Sequence, residues 1–238
     1  MTLHAGDISE RTGAPLLAED VLLVLFQPDS GTIAGENTLF YVLGGAVLTE
    51  LGIEGNVEIG EHRLGGAQVR AVQGNAPDDE LLRSGWDYVS DKPRNAQTVL
   101  AAVGPGLRGP LLDRLVGRGD IRREKRRALG LFTTTALEDG SGRRAGLVES
   151  VRAVLEDGEP PEPRVAALAA LVSASGSLPQ LHKEIPWNSD VITRAKALEQ
   201  GDWGAGAAAE AVTRTTTAIV VNATVSAMVA ANVISPQG

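Results

Sequence analysis

From Asn37 to Glu54 an aliphatic residue returns every fourth position, at Leu39, Leu43, Val47 and Leu51. That spacing lays one apolar stripe along an α-helix and none along a strand. The pattern constrains the whole chain, because only 3% of its 238 residues are aromatic and its core has to be built from Leu, Val, Ile and Ala. This length supports one sizeable core. The chain contains no cysteine. Disulfides, thiolate metal ligands and cysteine nucleophiles are thereby excluded, and a reducing compartment fits.

The same periodicity predicts further helices. Pro15–Phe26 carries Leu17, Val21 and Val24 on one face and ends in the turn Pro28-Asp29-Ser30-Gly31. Helices are also expected over Pro77–Val89, with Pro77 at the start, over the short Pro110–Val116, and over Leu147–Leu155 and Pro163–Ser175. Another runs to Gln200 with Ser189 as its cap. Gln97–Val103 is apolar and stops at Gly104-Pro105-Gly106. Gly44-Gly45 inside the second helix costs roughly 1 kcal/mol per glycine, which suits a close approach of another backbone. Period-two stretches predict a short hairpin over Asn56–Val72 and a basic one over Ile121–Thr135. No internal repeat is visible. The expected class is mainly α with minor β, with a flexible 1–14 and one helical domain over 15–238.

Ala205–Ile234 reads as one long apolar helix, and Ala218–Ile234 holds no charge. A membrane span needs about 20 mostly apolar residues. This stretch is shorter and carries Asn222, Thr224, Ser226 and Asn232, so a buried bundle helix is expected. Met1–Thr12 has two acidic groups and no apolar run, which does not read as a signal peptide.

Net charge is −8, which argues against bulk attraction of the whole chain to nucleic acid or anionic lipid. One segment departs from it. Between Gly104 and Arg127, eight cations (Arg108, Arg114, Arg118, Arg122, Arg123, Lys125, Arg126, Arg127) face three acids, giving +5 there and −13 elsewhere. Such a segment attracts an anionic surface and orients the molecule on it; on charge alone, a solvated helix face is the commoner meaning. Eighteen of the 22 basic residues are Arg, a composition typical of high-GC bacteria such as actinobacteria.

Catalytic patterns are weak. Gly104-Pro105-Gly106-Leu107-Arg108-Gly109 fits G-x-G-x-x-G, but it lacks the alternating strands and helices of a dinucleotide fold. A helix-breaking turn is the simpler meaning. His4, His62 and His182 have no metal spacing, and no G-x-S-x-G elbow is present. Glu19, Asp20 and Glu50 are candidate paired carboxylates, more simply read as helix caps or partners of a core arginine such as Arg164. A pocket around Glu50 and Arg164 would favour an enzyme. Trp187, just before the predicted Ser189 cap, suits a membrane interface, but a staple against the core is the commoner meaning and the one expected.

Four stretches together resemble the Golgi phosphoprotein 3 family. Leu16-Leu17-Ala18-Glu19-Asp20-Val21-Leu22-Leu23-Val24-Leu25 followed by Gly31 resembles its opening helix and turn. Leu43-Gly44-Gly45-Ala46-Val47-Leu48-Thr49-Glu50-Leu51 followed by Gly55 resembles its L-R-G-x-x-L-x-E-L helix. Leu115-Val116, Gly119-Asp120-Ile121, Glu124 and Leu129-Gly130-Leu131-Phe132 resemble its basic hairpin. Val154-Leu155, Pro161, Arg164 and Leu168 resemble its P-x-x-R-x-x-x-L stretch. The resemblance implies a helical bundle wrapped by amphipathic helices, with one protruding basic hairpin and a second short one. It implies a peripheral membrane adaptor and no enzyme, cofactor or metal.

Members of that family bind phosphatidylinositol 4-phosphate through a Trp and three basic residues. Here the Trp position falls at Gly35 and the signature Arg at Gly44. A third position falls in Gly104-Pro105-Gly106, and only Arg108 keeps its character. A phosphate headgroup needs several charge-assisted donors at once. The expectation is therefore attraction to anionic phospholipid by the eight cations named above, with weak or no phosphoinositide specificity. Leu129, Leu131 and Phe132 would insert into the bilayer or mediate homo-oligomerisation. The expected location is the cytoplasm, on the inner face of the cell membrane. The alternative is a soluble oligomeric scaffold that binds no lipid.

Overall fold

The structure is a computed structural model that describes residues 13–62, 66–128, 132–202 and 211–231. Its elements, in chain order, begin with α1 (Leu17–Leu25), the two-residue strands β1 (Phe26–Gln27) and β2 (Thr32–Ile33), and α2 (Leu39–Ile53). Strands β3 (Val57–His62) and β4 (Gly66–Ala71) follow, then α3 (Glu80–Ser90), β5 (Arg94–Asn95), α4 (Ala96–Val103) and α5 (Arg108–Gly117). The hairpin β6 (Ile121–Ala128) and β7 (Phe132–Asp139) leads into α6 (Arg143–Arg152), α7 (Pro163–Ala174), α8 (Ser189–Glu199) and α9 (Ala211–Ala230). The fold is mainly α, with three small antiparallel sheets among the described residues.

Helix α2 is the hub. It touches α1, α3, α4, α7 and α9, and thirteen of its residues are buried. The stripe at Leu39, Leu43, Val47 and Leu51 therefore captures only one of its apolar faces. The expected approach of another backbone occurs at Gly44, where a Cβ would stand 3.4 Å from Leu100 Cα and O of α4. Gly45 and Gly52 instead admit side chains of α9: a Cβ at Gly45 would stand 2.8 Å from Thr224 Oγ1, and one at Gly52 would stand 2.5 Å from Thr216 Cγ2. Helix α9 packs on α2, α4, α7 and α8. It buries Val220, Val221, Thr224, Ala227 and Met228, and is thus the bundle helix that its polar residues predict. No helix among the described residues is long and apolar enough to cross a membrane.

Several boundaries move for local reasons. Helix α3 begins at Glu80 and not at Pro77, because the Asp79 carboxylate accepts from the Leu81 and Leu82 amides. The cap of α8 is Asn188, whose side chain accepts from Asp190 and Val191; Ser189 is the first helical residue. The turn after α1 closes into the miniature hairpin β1–β2, and β5 adds a third strand to the β3–β4 pair.

Gly104-Pro105-Gly106 is a single 3₁₀ turn joining α4 to α5, with no strand before it as a dinucleotide site requires. Its first glycine is a packing residue: a Cβ there would lie 2.2 Å from the Phe40 carbonyl oxygen, while a Cβ at Gly106 or Gly109 meets nothing within 4 Å. Gly104→Ala is expected to lower unfolding free energy by about 2–4 kcal/mol, through displacement of α2 from the turn. Gly106→Ala should stay within about 0.5 kcal/mol of the parent. Urea denaturation of the two variants checks this; equal midpoints would contradict it.

Candidate functional site

The site starts from an oddity of α1. All nine of its residues are buried, and two of them, Glu19 and Asp20 in the first turn, are carboxylates. The helix dipole favours acids there by only about 0.3–1 kcal/mol. The effective penalty for burying an ion is several kcal/mol unless a counter-charge and hydrogen bonds accompany it. Arginines from three other helices supply both.

Arg118, the C-cap of α5, donates from Nε to Glu19 Oε2 at 2.9 Å and from Nη2 to the Gly13 carbonyl at 2.8 Å. Arg114 lies 3.7 Å from Glu19 and forms a two-pronged pair with Asp79 at 2.6 and 3.1 Å. Arg143 of α6 bonds Asp20 with one nitrogen and Asp120 with the other, the latter at 2.7 Å. Arg164 of α7 donates to Asp20 at 3.0 Å and to Glu50 of α2 at 2.9 Å. The second Glu50 oxygen accepts from the Leu17 amide at 2.7 Å. Asp120, at the foot of β6, also accepts from Ser141 Oγ at 2.5 Å, and its carbonyl accepts from the Gly140 amide at 2.9 Å. The chain Asp120–Arg143–Asp20–Arg164–Glu50 thus ties the hairpin's foot to α6, α1, α7 and α2.

The network walls a cleft of about 880 Å³ that Asp20, Glu50, Glu54, Asp79, Arg143 and Arg164 line together with apolar side chains. This is the pocket that an enzyme would need, so its chemistry matters. Burial pushes the Asp20 carboxyl above its ordinary value, against the pull of Arg164 and Arg143. It does the same to Glu50 against Arg164. Glu54 is raised by burial and by the Asp79 charge. At Asp79 burial raises the value, but the Arg114 hydrogen bond and the Leu81 amide outweigh it, and the group is held below the usual carboxylate range. Among the described residues the lining offers no hydroxyl, imidazole, thiol or amine nucleophile. Asp20 and Glu50 are already hydrogen-bonded to arginine, as the structural reading of those acids expects. Among the described residues no group of three or more His, Cys, Asp and Glu side chains forms a metal site.

The cations of the basic segment divide. Arg114 and Arg118 face inward, onto Glu19 and Asp79. Arg108 pairs with Glu36 at 2.6 Å and Arg123 with Asp113 at 2.6 Å, both at the surface. Arg122 is exposed and donates to its own hairpin, at the Asp139 carbonyl, 3.0 Å away. Lys125, Arg126 and Arg127 occupy β6 opposite Thr135, Thr134 and Thr133 of β7, while Ala128 stands opposite Phe132. Leu129 and Leu131 lie outside the described residues. The only acids of β7, Glu138 and Asp139, pair with Arg122 and Ile121 at the hairpin's foot. The eight cations do not form one continuous exposed face, because two of them hold the core together.

The residues that carry the sequence resemblance meet here. Asp20 comes from the opening helix and Glu50 from the Gly-Gly helix. Asp120 precedes the hairpin, and Arg164 follows Pro161; they converge on two arginines. The sequence model of one family, Golgi phosphoprotein 3 (GPP34), matches residues 17–215. The chain belongs to the Golgi phosphoprotein 3 family. A search of curated proteins finds no match. The Golgi phosphoprotein 3 match runs from the first residue of α1 into α9 and takes in the hairpin and every ion pair of the network.

Two of the positions that the resemblance aligns with a lipid pocket, Gly35 and Gly44, are tightly packed. Gly35 has φ of +66°, and a Cβ there would lie 2.1 Å from Ser177 Oγ. Gly44 lies against Leu100, 3.3–3.4 Å from any added Cβ; the third position falls in Gly104-Pro105-Gly106, where Gly104 lies on Phe40 and Gly106 has open space.

Arg143→Met would leave Asp20 with Arg164 alone and Asp120 with a single hydroxyl. Unfolding free energy should fall by about 2–4 kcal/mol, below the full cost of a broken buried pair because Arg143 keeps some solvent contact. Guanidinium titration measures it, and a loss under about 0.5 kcal/mol would show the network to be dispensable.

The raised Glu50 carboxyl also predicts a pH dependence. The folded state holds its proton to higher pH than the unfolded chain does. Its contribution to stability is therefore complete below the ordinary carboxylate range and fades as pH rises through the folded value. Glu50→Gln, measured by thermal unfolding from neutral to mildly acidic pH, should gain less stability on acidification than the parent.

Proposed function

We infer that the protein is a peripheral adaptor that approaches an anionic phospholipid surface through the distal half of the β6–β7 hairpin. One observation carries this reading: the register confines both β7 acids to the foot, so Lys125–Thr135 holds three cations and no acid. The apolar residues Leu129 and Leu131 lie in sequence between the two strands, and Phe132 is the first residue of β7. On a chain of net −8, this is a basic arm on an acidic body, which orients the molecule as it nears a negative surface. Near an anionic bilayer each cation contributes about 1 kcal/mol, screened by salt, and shallow insertion of the turn adds to it. Binding of this kind is reversible. Arg122 and Arg123 extend the basic strip to the foot, and Arg108 lies outside the hairpin on its own carboxylate.

Specific phosphoinositide recognition is weak or absent in this reading. A headgroup pocket needs several convergent donors. Gly35, Gly44 and the turn Gly104-Pro105-Gly106 stand where the resemblance implies pocket side chains, and Arg108 already pairs with Glu36. The role is binding and not catalysis, at the inner face of the cell membrane. The soluble-scaffold reading draws on a different feature: β6–β7 is a two-stranded sheet, and its outer edges are templates for pairing with another copy.

Flotation with neutral, phosphatidylglycerol and phosphatidylinositol 4-phosphate vesicles, at low and high salt, separates these readings. Salt-sensitive binding to every anionic vesicle is expected. The triple change Lys125→Ser, Arg126→Ser, Arg127→Ser should weaken it about 100-fold at low salt. Absence of flotation at low salt would overturn the membrane reading and favour the scaffold, and strict phosphoinositide dependence would overturn the lack of specificity.

A further inference from the structure

Beside the hairpin, the described surface shows one apolar feature that the core does not absorb. Three large apolar side chains remain more than a third exposed among the described residues: Ile53, Trp187 and Ile192. Two of the three belong to one helix entry. With Asn188 as the cap of α8, Trp187 holds the position before the cap and Ile192 the fourth helical position, the two places of a hydrophobic staple. A staple that only fixed the chain's entry angle would be covered. Here the indole is 44% exposed and Ile192 is 36% exposed.

The loop bearing Trp187 is firmly placed. Ile185 is buried. Glu184 accepts from the buried Arg144 of α6 at 2.7 Å, and Arg144 also donates to the Phe26 carbonyl of β1 at 2.6 Å. Lys183 pairs with Asp29 of the β1–β2 turn at 2.9 Å, and Gln27 donates to the Gln180 carbonyl at 3.2 Å. That same turn abuts the basic hairpin, since a Cβ at Gly31 would stand 3.0 Å from the Leu137 carbonyl oxygen of β7. The α8 entry, the β1–β2 turn and the hairpin's foot are therefore consecutive parts of one surface.

We propose that Trp187, with Ile192 beside it, is a second contact with the lipid bilayer, seated at the headgroup level beside the hairpin. The proposal rests on the membrane reading given above. The side-chain type favours a bilayer, because an indole combines an apolar body with an N–H and settles at the boundary between headgroups and acyl chains. The local charge does not oppose it: from His182 to Glu199, the end of α8, three basic residues (Lys183, Arg194, Lys196) meet three acidic ones (Glu184, Asp190, Glu199), a neutral segment on a chain of net −8. Two contacts, one on the hairpin and one at α8, would fix the protein's tilt on the membrane, which a single arm leaves free.

The test uses the full chain with vesicles of phosphatidylglycerol brominated on its acyl chains, which quench tryptophan fluorescence on contact. The parent protein should be quenched. With Trp203 replaced by Phe in every protein compared, so that Trp86 is the only other indole, Trp187→Phe should float with similar affinity yet lose most of the quenching, since Trp86 is half-buried and hydrogen-bonded to the Asn56 carbonyl. Trp187→Ser, with its fold checked by circular dichroism, should bind these vesicles about tenfold more weakly. Equal quenching of the parent and Trp187→Phe, with both floating, overturns this contact and leaves the hairpin reading standing. A changed oligomeric state in Trp187→Ser with unchanged vesicle binding also overturns it and assigns the patch to a contact between copies. Failure of the parent to bind overturns both readings.

Discussion

Four carboxylates, Glu19, Asp20, Glu50 and Asp120, lie below a tenth of their possible exposure, and the fold depends on their being answered. Each would be strongly unfavourable if left alone in the core. Arginines from α5, α6 and α7 answer them, and every answer crosses between elements. Helix α1 can lie fully enclosed because its two acids are paired from outside the helix. The network fixes which helices neighbour α1 and at what height along it, a task that interchangeable leucines perform less selectively. The aliphatic core supplies most of the attraction, and the ion pairs select among ways of assembling it.

The network also settles what remains for the surface. By drawing Arg114 and Arg118 inward, it removes two cations from a segment that is strongly basic as sequence. By clamping Asp120 between Arg143, Ser141 and Gly140, it holds the hairpin's foot. The distal strand residues are left as a basic extension of an acidic body. Recognition by charge and shallow insertion requires such an arm and little else. Side chains added at Gly35 or Gly44 would meet neighbouring atoms instead of open space.

Much of the fold was legible along the chain. Apolar steps of three and four marked α1, α2, α6, α7 and α9, and alternation marked both larger hairpins. These are local patterns, and local geometry produces them. The errors were local too: the caps at Asp79 and Asn188 lay one or two residues from the expected ones, because Pro, Ser, Asp and Asn compete for helix starts and only hydrogen bonding decides. The pairing of Arg164 with the first-turn acids and Glu50 was anticipated as a type of interaction. The role of Arg143 was not, since it joins acids 123 and 23 residues away and no spacing rule reaches that far. Trp187 was placed correctly at a helix entry, but its exposure could not be read from the string.

By itself, the sequence determined a helical, cysteine-free, aliphatic core, two hairpins, membership of a family and a basic segment on an acidic chain. Those properties follow from periodicity, composition and ordered motifs, all carried by neighbours in the chain. Tertiary structure alone decided which arginines serve the core and which serve the surface. A guanidinium within reach of a buried carboxylate and one beside water are the same residue in sequence. What distinguishes them is the desolvated charge that each meets, and only packing of distant segments brings that charge into contact.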